Sequence, residues 1–422
     1  MKAKYALLGL FVVCNFSMST VQAATYTWDS NNTGAPVAFD GAGVWTAANN
    51  FHNGTASITW PTGTAVTDIA AFGNITSVPV GLPGSITFTT PISAGGLNFN
   101  PYYAVAGKYT ITGGAGGSLQ LNGTPAITMT THPVRPFARI DAVLAGTAGF
   151  DVVSSTGGIL ELGGTANTIT GGIRLQGGSS LSISSEANLG GSGNGLTFAG
   201  TSTLIARNAG ANHAIPSSRA IIIADGATAR FDVQHSTATG NPPLSLTLSA
   251  PLTQASGTAS LRKEGAGNLI LNAGATYTGP TTIRQGTLTL NFANTVSPAA
   301  PLTNLINPAS SLRLAGGTLA VSGLTSVNNS QTFSGTTIAP GPSGLVSSIG
   351  VNGNTSVDLG AITREAGGTL NISTIVAGTG YVTSTPAVNG ILGGYATVAN
   401  NDWATVTGGN LAAYSGYQTG TD

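Results

Sequence analysis

At 422 residues the chain is long enough to bury a large core, yet only 7% of its residues are charged and 61 are glycine. Its 14 basic and 14 acidic side chains cancel with no basic stripe in the sequence, which argues against nucleic acid as a partner and against a polybasic membrane contact. A hydrophobic fraction of 41% with recurring β-branched residues separates it from a disordered chain and predicts many tight turns.

Residues 1–23 read as a signal peptide: Lys2 and Lys4 form the positive start, Ala6 to Val13 the apolar run, and Val21-Gln22-Ala23 the small-residue cleavage site. The mature chain is expected to begin at Ala24, and Cys14, the single cysteine, leaves with the leader. Val13 is not the small residue that lipidation of Cys14 would need. The mature chain therefore has no disulfide, thiol nucleophile or cysteine metal site. No later segment has 18 continuous apolar residues, so no transmembrane helix is expected, and no C-terminal array of ten-residue alternating strands suggests a barrel.

Residues 24–145 read as an N-terminal, Trp-containing, β-rich cap and first strands, with Trp28, Trp45, Trp60 and Phe72. Helical periodicity is nearly absent along the whole chain. Short alternating runs bounded by Gly, Asn, Ser or Pro take its place, among them Ser85 to Phe88, Leu119 to Leu121, Ile159 to Leu162 and Leu312 to Leu314.

Residues 146–300 contain two related copies, 150–184 and 261–290. GGILELGGTANTITGGIRLQGGSSLSI, from Gly157, and GAGNLILNAGATYTGPTTIRQGTLTL, from Gly265, share a Leu-x-Leu ladder, a small-residue corner and a second ladder in the same order. The ladders recur about 19 to 21 positions apart, the length of one β-solenoid coil. A β-sandwich also uses short strands and Gly-rich turns. Parallel contact between Leu269-Leu271 and Leu288-Leu290 would decide for the solenoid; antiparallel pairing would mean a hairpin. Residues 301–385 read as further coils, and residues 386–422 as a C-terminal Gly/aromatic segment that reads as truncated.

The stretch from Leu261 to Leu290 resembles the autotransporter-associated β-strand repeat, also called the passenger-associated transport repeat. Its pattern falls on Leu261, Lys263, Gly265, Gly267, Leu269, Leu271, Tyr277, Gly279, Thr281, Thr282, Gly286 and Leu288, with Pro280 where a second glycine is common. The Trp-bearing start and the NGILGGYATVANNDWATV segment resemble the large exported proteins that carry this unit. The resemblance implies an all-β, right-handed parallel β-helix and export to the cell surface, the outer membrane or the extracellular space. It also implies a passenger-like role, which the repeat and the lack of a recognisable site make a non-catalytic structural or adhesive one; repeats that assist export and folding are a further expectation.

Chemistry is sparse. The acids are scattered, without the paired carboxylates of a glycosidase or lyase. Glu161 alternates outward as a solvated strand residue, and Asp225, Arg230 and Asp232 form the nearest approach to a charged site. His52, His132, His213 and His235 lack metal spacing and read as surface imidazoles. The Gly113 to Leu121 and Gly190 to Phe198 runs lack the carboxylate of a calcium nonapeptide and the Gly-Lys-Ser/Thr ending of a phosphate loop. No catalytic residue, metal or cofactor is expected. Trp28, Trp45, Trp60, Tyr395, Trp403 and Tyr414 are the candidate glycan-stacking aromatics, with burial as caps of the solenoid ends the competing reading. Extracellular polysaccharide or cell-surface components are the expected partners. A carbohydrate-active β-helix enzyme, a polysaccharide lyase or hydrolase, is the alternative.

Overall fold

The computed structural model describes residues 23–32, 38–63, 66–73, 81–101, 107–130, 137–154, 157–207, 212–234, 244–296, 299–348, 352–373 and 375–417. Cys14 and nearly all of the leader, with His132 and His235, lie outside the described residues. The described chain is a β-solenoid of short, mostly parallel strands stacked on three faces.

Alternation along each strand sends one side chain inward and the next outward. In Asn268–Leu271 and Thr287–Asn291 the leucines point in and the Asn, Ile and Thr residues point out. The two strands pair in parallel, Leu269 with Leu288 and Leu271 with Leu290, which decides for a coil against a hairpin. The earlier copy pairs in the same way, Leu160 with Leu181 and Leu162 with Ile183. Like therefore stacks on like, and a leucine column fills the interior.

The first face runs from Thr25–Trp28 to Leu252–Gln254, then continues through single bridges from Leu252 to Ala275 and from Ala275 to Ile306. The second runs from Gly43–Val44 to Ile362–Arg364, one strand per coil, and the third begins at His213–Ile215. Coils are not uniform. The spacing near twenty holds in the two repeats, but Leu204 pairs with Phe231 and Phe231 with Lys263, 27 and 32 residues on. A parallel sheet fixes only the strands, so extra residues are taken up between them. One hydrophobic core runs without interruption from Trp28 to Leu411.

Both ends depart from the parallel pattern. At the start, Thr25–Trp28 pairs antiparallel with Phe51–His52, which pairs antiparallel with Ser57–Ile58. At the end, Ala396–Val398 turns back on Asp402–Thr407, and that strand turns back on Asn410–Ala413. Gly408 and Gly409 form the two-residue loop between Thr407 and Asn410 with φ of 59° and 82°, the positive values that a primed hairpin turn requires. These hairpins cover strand edges that a bare stack would leave open.

Candidate functional site

The candidate aromatics divide by end of the molecule. Trp28 and Trp45 are fully buried and Trp60 nearly so, packed edge-on or tilted among Phe51 and Phe72 with ring centroids 4.7–6.5 Å apart. Trp28 Nε1 donates to the Gly41 carbonyl and Trp60 Nε1 to the Ser93 carbonyl, each at 3.0 Å. Trp28 and Trp45 present no face to a sugar, and Trp60, almost wholly buried, only borders a small cleft of about 110 Å³. The three are the plug of the first coils, because the hairpins above them remove the rings from water.

The C-terminal aromatics face outward. Trp403 is 40% exposed and, with half-buried Tyr395, lines a groove of about 250 Å³ whose floor includes Asn371, Thr397 and Asn400. Arg364 lies over the Tyr395 ring at 5.2 Å from its centroid, a cation–π contact that fixes the ring. Burial raises the Tyr395 phenol, and the Arg364 charge opposes that rise. Tyr414 packs edge-on to Tyr417 at 5.1 Å, and the Tyr417 hydroxyl accepts from the Trp403 backbone N–H at 3.0 Å. Structure thus brings Tyr395 and Trp403 to one surface and supports it with Tyr414. An apolar ring flanked by amide and hydroxyl groups is suited to stacking on a sugar face.

Other expected positions fall elsewhere. Glu161 points outward but is mostly covered, held by Arg139 at 2.6 Å and Lys108 at 3.4 Å across neighbouring coils, so it is not a freely solvated residue. His52 and His213 are buried, a correction to their reading as surface imidazoles. His52 Nδ1 accepts from the Gly54 N–H at 3.0 Å, and His213 Nε2 bonds the Arg207 carbonyl at 3.1 Å. Asp225 is an exposed turn residue accepting from the Thr258 N–H, apart from Arg230 and Asp232, which sit on one strand. Among the described residues no group of three His, Cys, Asp or Glu side chains converges as a metal site. No helix among them is long and apolar enough to cross a membrane.

Sequence reasoning passed over Arg219. It is wholly buried, donates to the carbonyls of Leu189, Asn194 and Gly190, and pairs with Glu186. The start of the run from Gly190 to Phe198 is therefore a turn stitched by a distant arginine, its end is the strand Leu196–Phe198, and nothing local in the sequence marks the pairing.

The repeat positions have structural tasks. Lys263 points inward and donates from Nζ to the carbonyls of Glu264, Gly265 and Gln285, at 2.6, 2.7 and 3.2 Å, closing two corners. Tyr277 is buried and heads a hydroxyl chain through Thr281 and Ser310 to the Gly279 carbonyl. That chain links two adjacent coils through polar groups that water cannot reach.

Residues 261–290 match the family described as Passenger-associated-transport-repeat. The chain is also 38% identical over 138 residues to the Adhesin BmaC autotransporter of Brucella suis biovar 1 (strain 1330). That alignment covers 32% of this chain, which spans only 4% of the length of the curated relative it matches. No solved structure matches the chain. The chain is thus a β-solenoid carrying a passenger-associated transport repeat.

Proposed function

We propose that the chain is an exported, non-catalytic, passenger-like solenoid with an adhesive role at the cell surface or outside the cell, and that its repeat assists export and folding. The observation that carries this reading is the repeat coil itself. The repeat positions Lys263, Tyr277 and the leucine ladders all close or fill the coil. The 138-residue likeness to an adhesin supports the adhesive part. Adhesion is tested by coating beads with the purified chain and counting their attachment to epithelial cells. Attachment well above albumin-coated beads is expected, and equality with them rejects the reading.

One observation favours a carbohydrate-active enzyme instead. Asp232 and Glu264 are register partners on the second face and line a groove of about 440 Å³. Glu264 is already ion-paired with Arg262, so one of its oxygens is turned to a guanidinium within the same strand. Release of reducing or unsaturated sugar from a polysaccharide panel, abolished in Asp232→Asn, would establish this second reading.

A further inference from the structure

Coil stacking gathers on one outer face four arginines that the sequence spreads from 230 to 313. Arg230 lies on Thr228–Val233, Arg262 on Ser260–Glu264, Arg284 directly after Thr281–Ile283, and Arg313 on Leu312–Leu314. These are four consecutive strands of the second face. Arg230 and Arg262 are direct register partners, and Thr282 stands between Arg262 and Arg313 in the same column. Strands about 4.8 Å apart place the four Cα atoms within roughly 15 Å along the stack. Together they line a groove of about 580 Å³ with the hydroxyl side chains of Thr228, Ser260 and Thr282.

Like charges directly opposite each other in a sheet destabilise it. Here the compensation is only partial. Glu365 holds Arg313 at one end with contacts of 2.5 and 2.8 Å, and Glu264 approaches Arg262 Nε at 2.5 Å. Asp232 lines the neighbouring groove and accepts from Gln234 at 3.2 Å. Among the described residues Arg230 and Arg284 have no carboxylate within ion-pair distance, and Arg230 Nε is buried with no acceptor. Burial first, then the charges of Arg284 and Arg230, push the Arg262 guanidinium down despite Glu264. A stack that breaks a local rule with only partial repair is a candidate binding surface.

We propose that this groove binds a segment of acidic polysaccharide, its carboxylate or sulfate groups seated between Arg230, Arg262 and Arg284 and its ring hydroxyls meeting Thr228, Ser260 and Thr282. Guanidinium forks match planar carboxylates and sulfate oxygens in pairs, and the groove is the size of a short oligosaccharide. A neutral glycan would leave the guanidiniums covered and unpaired. Single-stranded nucleic acid fits less well, because no aromatic ring lines the groove for base stacking.

The inference names a ligand class for the adhesive reading and takes its biological role from that reading. Its test uses the purified full chain without cells, so the two fail separately. Fluorescence anisotropy in low salt compares an oligogalacturonate, a sulfated galactan oligosaccharide, a dextran oligosaccharide of equal length and an oligothymidylate. At least one acidic sugar is expected to bind at least tenfold tighter than dextran, which identifies carboxylate or sulfate as the recognised group. The double variant Arg230→Gln/Arg284→Gln is expected to weaken it at least tenfold, and Thr282→Glu, which places a carboxylate in the groove, to do the same. Unchanged thermal midpoints separate these losses from misfolding. Equal binding of dextran, unchanged binding in both variants, or oligothymidylate binding as tightly with the same losses would each overturn the proposal.

Discussion

Lys263 sits wholly inside the coil, where three backbone carbonyls receive its ammonium. Burial pushes that ammonium down to about 8 from 10.5, while Asp232 and Glu264 favour the charge. Between those values the unfolded chain still holds a proton that the folded chain has released. The burial penalty is therefore fully present below pH 8 and is relieved as pH rises toward 10.5, by at most about 3 kcal/mol. Urea midpoints of the wild type and Lys263→Met from pH 7 to 10.5 measure it, and the difference should shift toward the wild type with rising pH. A flat difference would remove Lys263 from the account. At pH 7 the same variant should still lose about 2 kcal/mol, because buried carbonyls go unpaired. Arg219→Met should cost more, about 3–5 kcal/mol, since Glu186 loses its buried partner and three loop carbonyls lose their donor. Chemical denaturation compares the two directly.

The coil is an element whose strands tolerate little. Leu288 contacts Leu269 on one side and Leu319 on the other, and all three are buried. Leu288→Ala should cost about 2–5 kcal/mol by opening a cavity that both neighbours share. Ile270 points outward midway along a strand paired on both sides, to Thr247 and Thr289. Ile270→Pro should therefore destabilise strongly without removing any core atom, because proline cannot donate to the ladder. Ile270→Thr, which keeps the N–H, is the control. Thermal unfolding followed by far-ultraviolet circular dichroism distinguishes them: a Pro variant that melts like the Thr variant would mean that the ladder bond at this position is dispensable.

At the scale of the whole molecule, the tryptophans report the two ends separately. Trp28, Trp45 and Trp60 are buried in the first coils, whereas Trp403 is exposed at the last. Tryptophan emission should therefore be blue-shifted and dominated by the N-terminal plug. Trp45→Ala should red-shift the emission of Trp28 and Trp60, the two left in the plug, and cost about 3–5 kcal/mol. Trp403→Phe should change the spectrum little and leave stability near that of the parent. If Trp45→Ala leaves the emission maximum unmoved, the plug does not hold the first coils together.

The strands were legible residue by residue, because inward and outward positions alternate in plain sight: Leu269, Leu271, Leu288 and Leu290 are the interior column that their spacing predicts. The recurrence of the same order in residues 157–183 and 265–290 carried the architecture, since a coil can repeat only by stacking on itself. Hairpin caps were less legible, although Gly408-Gly409 between alternating residues is a signal that could have found the last one. What the sequence cannot display is lateral neighbourhood across coils of unequal length. Arg230 and Arg262 are 32 positions apart in the chain and adjacent in the sheet, so a chain without a basic run builds a basic groove. Glu161 gains Arg139 and Lys108, and Arg219 gains Glu186, by the same stacking. Burial of the N-terminal tryptophans and exposure of Trp403 were likewise decided by which rings the end hairpins cover. Local pattern determines which side chains face the core, because alternation is a property of the strand; only the stack decides which outward side chains meet, because that depends on how many residues each coil spends between strands.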